Sequence, residues 1–347
     1  MSKRLEKHKI IFLISFNIFL LFASIAGIEI ALRILDMGYG NAPVESDPIM
    51  HHKHPADYRF LCHDPADEYG GFIVYYDNEG LISDPDKITR LQKLSASRRI
   101  AFLGDSFVEA ATIEYAKSFV AIIDKHLKDS AIVKNYGVES YSPVLCYLQW
   151  RHKTMHFKPT HVFLMLCSND CSDDEKYLSQ ALFSPSGEIE AVPGIVDNIL
   201  IRILRKSYLA RLAKKSLIKA RFILKHRGRD LRVIDRFVEE SPDIGKYPTK
   251  DYILRMAKEI ESSGAVFILT AVPSKYNLHH NINDPNEFSK QWERWAGKNS
   301  VNFIDMVGPF RKVYQGSGQK LFYTNDTHFN AAGHAIIAEE IIRYLDK

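Results

Sequence analysis

The sequence predicts an α/β protein, a parallel sheet covered by helices on both faces, preceded by one membrane-spanning helix. Three observations carry this. From residue 98 to the C-terminus, short and fully apolar runs alternate with helix-spaced segments, the pattern of strands buried on both faces. A run of nineteen residues without a formal charge, 10–28, opens the chain. The 347 residues are 46% apolar and 25% charged, a globular balance with enough length for a large core. Disordered, collagenous and long coiled-coil chains are excluded by that balance. Four cysteines exclude a disulfide-dense scaffold, and a net charge of +4 is too weak to imply a nucleic-acid partner.

Residues 1–9 carry Lys3, Arg4, Lys7 and Lys9 and are expected in the cytoplasm. Residues 10–32 are expected to anchor the chain in a membrane. The charge-free run alone spans about 28 Å as a helix, close to the hydrocarbon thickness of a bilayer. The flank beyond it mixes Glu29, Arg33 and Asp36, so the positive-inside rule sends the remaining chain across. Two other readings stand beside the anchor, a soluble core helix and a cleavable signal peptide. Ser24-Ile25-Ala26 offers a small-x-small site, but the run is long for a signal and its helical pattern continues past that site. Export opens the way to disulfides, and Cys62, Cys146, Cys167 and Cys171 contain no CxxC pair, which speaks against a zinc site. Cys167 ends an apolar run and reads as a buried hydrophobe.

Residues 33–97 read as a tether with accessory strands, such as 71–76, followed by the turn signal Asp77-Asn78-Glu79-Gly80. His51, His52, His54 and His63 crowd here and read as exposed linker histidines rather than a metal site. Residues 98–347 form the main domain. Strands are expected at 100–103, 131–133, 161–167, 265–270 and 301–304, with helices at 118–127, 143–156, 249–261 and 331–345. Residues 195–236 break the rhythm, with thirteen Lys or Arg against three Asp, a net charge of +10. Apolar residues at helical spacing, such as Ile199, Ile203, Leu204 and Leu212, run through this insertion. It reads either as a solvated helical cap or as a basic helix beside anionic lipid or an acidic glycan.

Ligands of such sheets bind outside the carboxyl ends of the strands. Gly104-Asp105-Ser106 follows the first strand and Asn135-Tyr136-Gly137 the second. Ser168-Asn169-Asp170 follows the third, and Asp326-Thr327-His328 precedes the last helix. Ser106 can attack, His328 can act as general base, and Asp326 can fix its tautomer. A glycine at 137 lets the backbone approach a substrate oxygen, and Asn169 can donate to an oxyanion from its side-chain amide. Asn330 reads as the N-cap of the last helix and His334 as packing. The residues call for no cofactor and no metal. P-loop, dinucleotide and H-E-x-x-H motifs are missing, and Val108 breaks G-x-S-x-G.

Taken together, Gly104-Asp105-Ser106-Phe107, Gly137, Asn169-Asp170 and Asp326-Thr327-His328 resemble the four blocks of the SGNH hydrolase superfamily, the GDSL-type esterases. The resemblance covers residues 98–347. It implies a three-layer α/β/α, flavodoxin-like domain and a serine acyl-enzyme. Ser106 is then the nucleophile, His328 the base and Asp326 its partner, with Asp305 as the fallback orienter. Ser106 N–H, Gly137 N–H and the Asn169 side chain form the oxyanion hole, supported by Asp105 and Asp170. Two departures are present. Asn325 stands three before the histidine, where many members have Asp, and no glycine precedes Asn169 in its block. The D-x-H spacing is similar to that of SGNH proteins that acetylate exopolysaccharides. The expected function is therefore a membrane-anchored, extracytoplasmic esterase that removes an acyl group, acetyl foremost, from an envelope glycan or lipid. One alternative is an O-acyltransferase for an exported polysaccharide, which would require a multispanning partner to deliver the acyl donor. The other is a non-catalytic glycan-binding domain.

Overall fold

The computed structural model of the chain describes residues 2–84, 97–195, 198–226, 242–275, 278 and 287–347. Helix α1 (Ser2–Ile34) is continuous, and its stretch Lys7–Ile34 is long and apolar enough to cross a membrane. Its apolar side chains, from Ile10 to Ile34, are exposed apart from Leu32.

Six short strands follow. They are β1 (Tyr39–Gly40), β2 (Glu45–Ser46), β3 (His52–Lys53), β4 (Tyr58–His63), β5 (Gly70–Tyr76) and β6 (Ile82–Ser83). β1, β4, β5 and β6 make a four-stranded accessory sheet in that order, and β2 pairs with β3. Gly80 closes the expected turn between β5 and β6, its N–H donating to Asp77 O at 2.9 Å. Phe60, Cys62, Val74, Tyr76 and Ile82 form this sheet's own small core. The histidines depart from expectation. His52 and His54 are buried, not exposed in a linker, because aromatic and acidic partners enclose them. His54 stacks on Tyr76 with ring centres 4.2 Å apart, and His52 lies edge-on to Tyr141 at 5.1 Å.

The main domain runs β7 (Arg98–Leu103), α2 (Ser106–Glu109), α3 (Phe119–Leu127), β8 (Ala131–Asn135), α4 (Pro143–His152), β9 (His161–Leu166) and α5 (Asp170–Leu178). A hairpin of β10 (Leu182–Phe183) and β11 (Ile189–Ala191) leads to α6 (Ile199–Lys206) and α7 (Tyr208–His226). The chain closes with α8 (Thr249–Ser262), β12 (Val266–Ala271), α9 (Phe288–Lys298), β13 (Asn302–Asp305), α10 (Val307–Ser317) and α11 (Ala331–Leu345). The helix expected at 143–156 stops at His152, and a 3₁₀ turn, Thr154–Phe157, continues it. In the basic insertion, Asp197 and everything from Arg227 to Arg236 lie outside the described residues.

The five apolar runs become one parallel sheet in the order β13-β12-β9-β7-β8. Successive side chains of a strand point to opposite faces, and both faces are covered. Ala101, Leu103, Val162, Leu164, Phe267 and Leu269 pack with residues of α4, α8 and α9. Ile100, Phe102, Phe163, Met165 and Ile268 pack with residues of α3, α10 and α11. The result is a three-layer α/β/α domain. From β7 the chain moves outward to β8, then returns to the other side of β7 as β9. At such a reversal, here beyond the carboxyl ends of β7 and β9, sheets of this kind bind ligands. Ser106 and Asn169 follow those two ends.

Candidate active site

Ser106 is presented by a tight strand-to-helix turn. Gly104 takes φ +153°, and a Cβ there would lie 2.5 Å from Val108 Cγ2 and 3.0 Å from Met165 O. Asp105 is the N-cap of α2, its Oδ1 accepting from Phe107 N at 2.9 Å. The capping work therefore falls to Asp105 and leaves the Ser106 hydroxyl available. Ser106 is the first residue of α2, so its N–H has no intrahelical acceptor.

The Ser106 hydroxyl meets His328. Ser106 Oγ lies 2.8 Å from His328 Nε2, and His328 Nδ1 lies 2.5 Å from Asp326 Oδ1. With the ring proton on Nδ1 donated to the carboxylate, Nε2 accepts the hydroxyl. Asp326 Oδ1 also takes the backbone N–H of His328 at 2.9 Å, which closes the D-x-H loop on itself. Burial alone lowers the pKa of His328, but the hydrogen bond and charge of Asp326 outweigh it and the net shift is upward. Burial likewise works against the Asp326 carboxylate, and its bonds to His328 and Tyr69 hold it below the usual range. Phe107 packs on the imidazole, ring centres 5.2 Å apart. Asp305 is elsewhere: it caps α10 and accepts from Ser289 Oγ, so Asp326 is the carboxylate beside the histidine. Asn330 caps α11 through Ala332 N and Gly333 N. His334 is buried against Phe119, and burial pushes its pKa down to about 3.

The other blocks converge on the same turn. Val138 N donates to Gly104 O at 3.1 Å. Gly137 is pressed against α2, where a Cβ would lie 2.2 Å from Glu109 N. The close approach that demands glycine is thus to the nucleophile helix rather than to substrate. The Gly137 N–H donates to Asn135 Oδ1 at 2.9 Å, while Asn135 Nδ2 donates to Val108 O at 2.7 Å. Asn135 therefore ties the end of β8 to α2. Asn169 stands at the N-terminus of α5, one of its amide protons held by Asp173 Oδ2 at 2.8 Å; the amide carries two.

Cys167 departs from the simple hydrophobe. Its Sγ donates to Asp105 Oδ2 at 2.9 Å, and its N–H donates to Asp170 Oδ2 at 2.9 Å. Asp105, Cys167 and Asp170 are the group among the described residues spaced closely enough to hold a metal ion. Burial raises the pKa of all three, and that of Asp170 is raised further by the charge of Asp105. Their hydrogen bonds, in which the thiol and the Cys167 N–H donate to the two carboxyl groups, tie the end of β9 to the Ser106 turn. All four cysteines are free and buried.

Two contributors come from the loop joining β4 to β5 of the accessory sheet and carry no signal in the sequence. Tyr69 Oη donates to Asp326 Oδ2 at 2.9 Å, the oxygen that His328 does not use. Glu68 accepts Thr324 N at 2.9 Å and Asn325 N at 2.6 Å, clamping the loop that carries Asp326. Asp64 in turn holds Glu68 N at 2.9 Å. A third contact grips α2, where Glu109, fully buried, accepts from Tyr76 Oη and lies 3.3 Å from His54 Nε2. Burial opposes the charge on both Glu109 and His54, and each offsets it for the other.

Comparison with known proteins gives a likeness to solved structures alone. No protein-family model matches the chain, and no curated protein does. Solved structures do. An acetyl xylan esterase, AlAXEase, is 14% identical with a TM-score of 0.45 over 71% of this chain and 99% of its own. An acetylxylan esterase from Geobacillus stearothermophilus is 15% identical, TM-score 0.42, over 73% of this chain and 95% of that one. A protein from Desulfitobacterium hafniense described as lipolytic and of the G-D-S-L family is 13% identical, TM-score 0.42, over 71% and 99%. The reading of function rests on the geometry at Ser106.

Proposed function

We propose that the chain is a membrane-anchored serine esterase of SGNH type that removes an acyl group, acetyl foremost, from an envelope glycan or lipid. The observation that carries this is the Ser106–His328–Asp326 hydrogen-bond chain just past the carboxyl end of β7. Ser106 Oγ attacks the ester carbonyl carbon as its proton passes to His328 Nε2. Negative charge then develops on the former carbonyl oxygen. The N–H of Ser106 and the second amide proton of Asn169 are the donors for it, with Gly137 N–H joining only if it leaves Asn135. Collapse breaks the bond to the alcohol, which takes the proton from Nε2 and departs, leaving acyl-Ser106. Water repeats the sequence in reverse, giving its proton to Nε2 and releasing the carboxylic acid. Asp326 holds the Nδ1 proton throughout and stabilises the imidazolium.

The anchor reading is supported by the exposed apolar length of α1 and by the basic residues that precede it. Incubating the full chain in detergent with an activated acetyl ester, with and without acceptor sugars, tests the reaction. Free acetate in both arms is expected. Acetylated sugar formed at the expense of acetate marks the protein as a transferase, and no acetyl release in either arm contradicts the esterase.

A further inference from the structure

α6 is built unlike the other helices of the domain. Five of its eight residues, Ile199, Leu200, Ile201, Ile203 and Leu204, are apolar and 48–73% exposed. At about 100° per residue these five span an arc of about 200°, and Arg202, Arg205 and Lys206 fill the remainder. Such a face in contact with water is rare in a soluble domain.

Its position is set by α1. Glu29, on α1, accepts Ser207 Oγ at 2.9 Å, Tyr208 N at 3.0 Å and Leu209 N at 2.8 Å. It thereby caps the start of α7. Arg33 donates to Lys206 O at 2.7 Å and lies over the Tyr208 ring at 4.8 Å. The corner between α6 and α7 is thus fastened five residues before the end of α1, about 7.5 Å along its axis. If α1 spans a bilayer, that depth belongs to its headgroup region. The exposed side chains of Ile30 and Ile34 on α1, and of Leu35 just after it, continue the apolar surface.

α7 turns the other way, onto the protein. Arg211 is buried and donates to Tyr39 O at 2.6 Å and Gly38 O at 2.5 Å. Lys219 pairs with Asp67 at 2.6 Å, beside the Glu68–Tyr69 clamp. α7 is therefore the spacer, held to the protein at Arg211 and Lys219 although Leu217, Ile223 and Leu224 are exposed, whereas all five apolar side chains of α6 are exposed.

We propose that α6 lies in the headgroup–acyl boundary of the leaflet from which α1 emerges, as a second, interfacial membrane contact. This rests on the anchor reading above. The apolar arc fits the acyl boundary, and the exposed Arg202 and Lys206 fit anionic lipid headgroups. A bilayer is favoured over an acidic glycan because a glycan satisfies the charges and leaves five exposed Ile and Leu side chains in water. The consequence is geometric. Lys219 follows Tyr208 by eleven residues, so the Asp67 loop stands about 16 Å along α7 from the membrane corner. The esterase would work on substrates close to the bilayer surface.

Spin labels on the full chain test this in vesicles containing phosphatidylglycerol. Ile203→Cys and Leu200→Cys are exposed sites that leave the fold intact, and the native cysteines are buried. Phe19→Cys reports on α1 and Ser186→Cys on a water-exposed turn. The labels at 203 and 200 are expected to be more accessible to oxygen than to a polar nickel chelate, about 5–10 Å below the phosphates. The label at 19 should lie deeper still, and the one at 186 in water. Labels at 200 and 203 in water with 19 in the bilayer overturn the proposal and spare the anchor. A label at 19 in water overturns both. Shielding of 203 by a soluble polyanionic glycan but not by lipid also overturns it.

Discussion

The two sheets divide the labour of the site. The five-stranded parallel sheet carries the proposed reacting atoms, since Ser106 and Asn169 follow its strands and His328 and Asp326 precede the last helix. The four-stranded accessory sheet supplies none, yet it holds the atoms in place. From it come Tyr69 to Asp326, Glu68 to the backbone before Asp326, and Tyr76 to Glu109 on the nucleophile helix. A wholly buried parallel sheet can position the ends of its strands, but the Asp326–His328 loop lies on none of them. That loop needs a second structure to fix it. The comparison teaches that the accessory sheet belongs to the proposed active site although it brings no chemistry.

The division predicts different phenotypes on its two sides. The largest effect falls on the main domain, where His328→Ala is expected to lose about 10⁴–10⁶ in kcat with an unchanged melting temperature. Next comes the accessory side. His54→Ala leaves the buried Glu109 charge unpaired and is expected to cost about 3–5 kcal/mol of stability in denaturant titration. The fraction that remains folded should keep near wild-type kcat. A dead but fully stable His54→Ala protein breaks the comparison.

Asn169→Ala is expected to lose about 10²–10³ in kcat, roughly 2.7–4 kcal/mol, with little change in KM. Asn169→Asp should be at least as damaging, because it sets a negative charge beside the oxyanion. The smallest effect sharpens the comparison most. Tyr69→Phe removes one hydrogen bond from Asp326 and is expected to lower kcat/KM about 2–12-fold. It should also move the pH profile. Catalysis needs neutral His328, whose pKa lies above its ordinary 6.5, so activity rises with pH through that pKa. Without Tyr69 the carboxylate keeps more of its charge for the imidazolium, and the acidic limb moves to higher pH. A drop in rate with an unmoved limb assigns Tyr69 to packing alone.

What the sequence made legible follows the same line. Continuous apolar runs such as His161–Leu166 announce strands buried on both faces, and the reactive residues stand directly at their ends. α9 was not among the helices expected, although Phe288, Trp292, Trp295 and Ala296 stand at helical spacing. The accessory sheet was harder. Of the six strands that precede β7, four are two residues long, too short to show a period. Tyr69 lies 257 residues from Asp326, so no local pattern joins them. His54 reads as a linker histidine until Tyr76 and Glu109 are seen to enclose it. Gly137 was legible as a residue without a side chain, but its neighbour is α2, which only the fold brings there.

The central claim is that Ser106 is a nucleophile activated by His328. The most direct test treats the full chain with a serine-directed phosphonate and maps the adduct by mass spectrometry. The account predicts a single adduct on Ser106, absent from Ser106→Ala and formed far more slowly in His328→Ala, with both variants folded. An adduct on another residue, or labelling of Ser106→Ala at the wild-type rate, would contradict it.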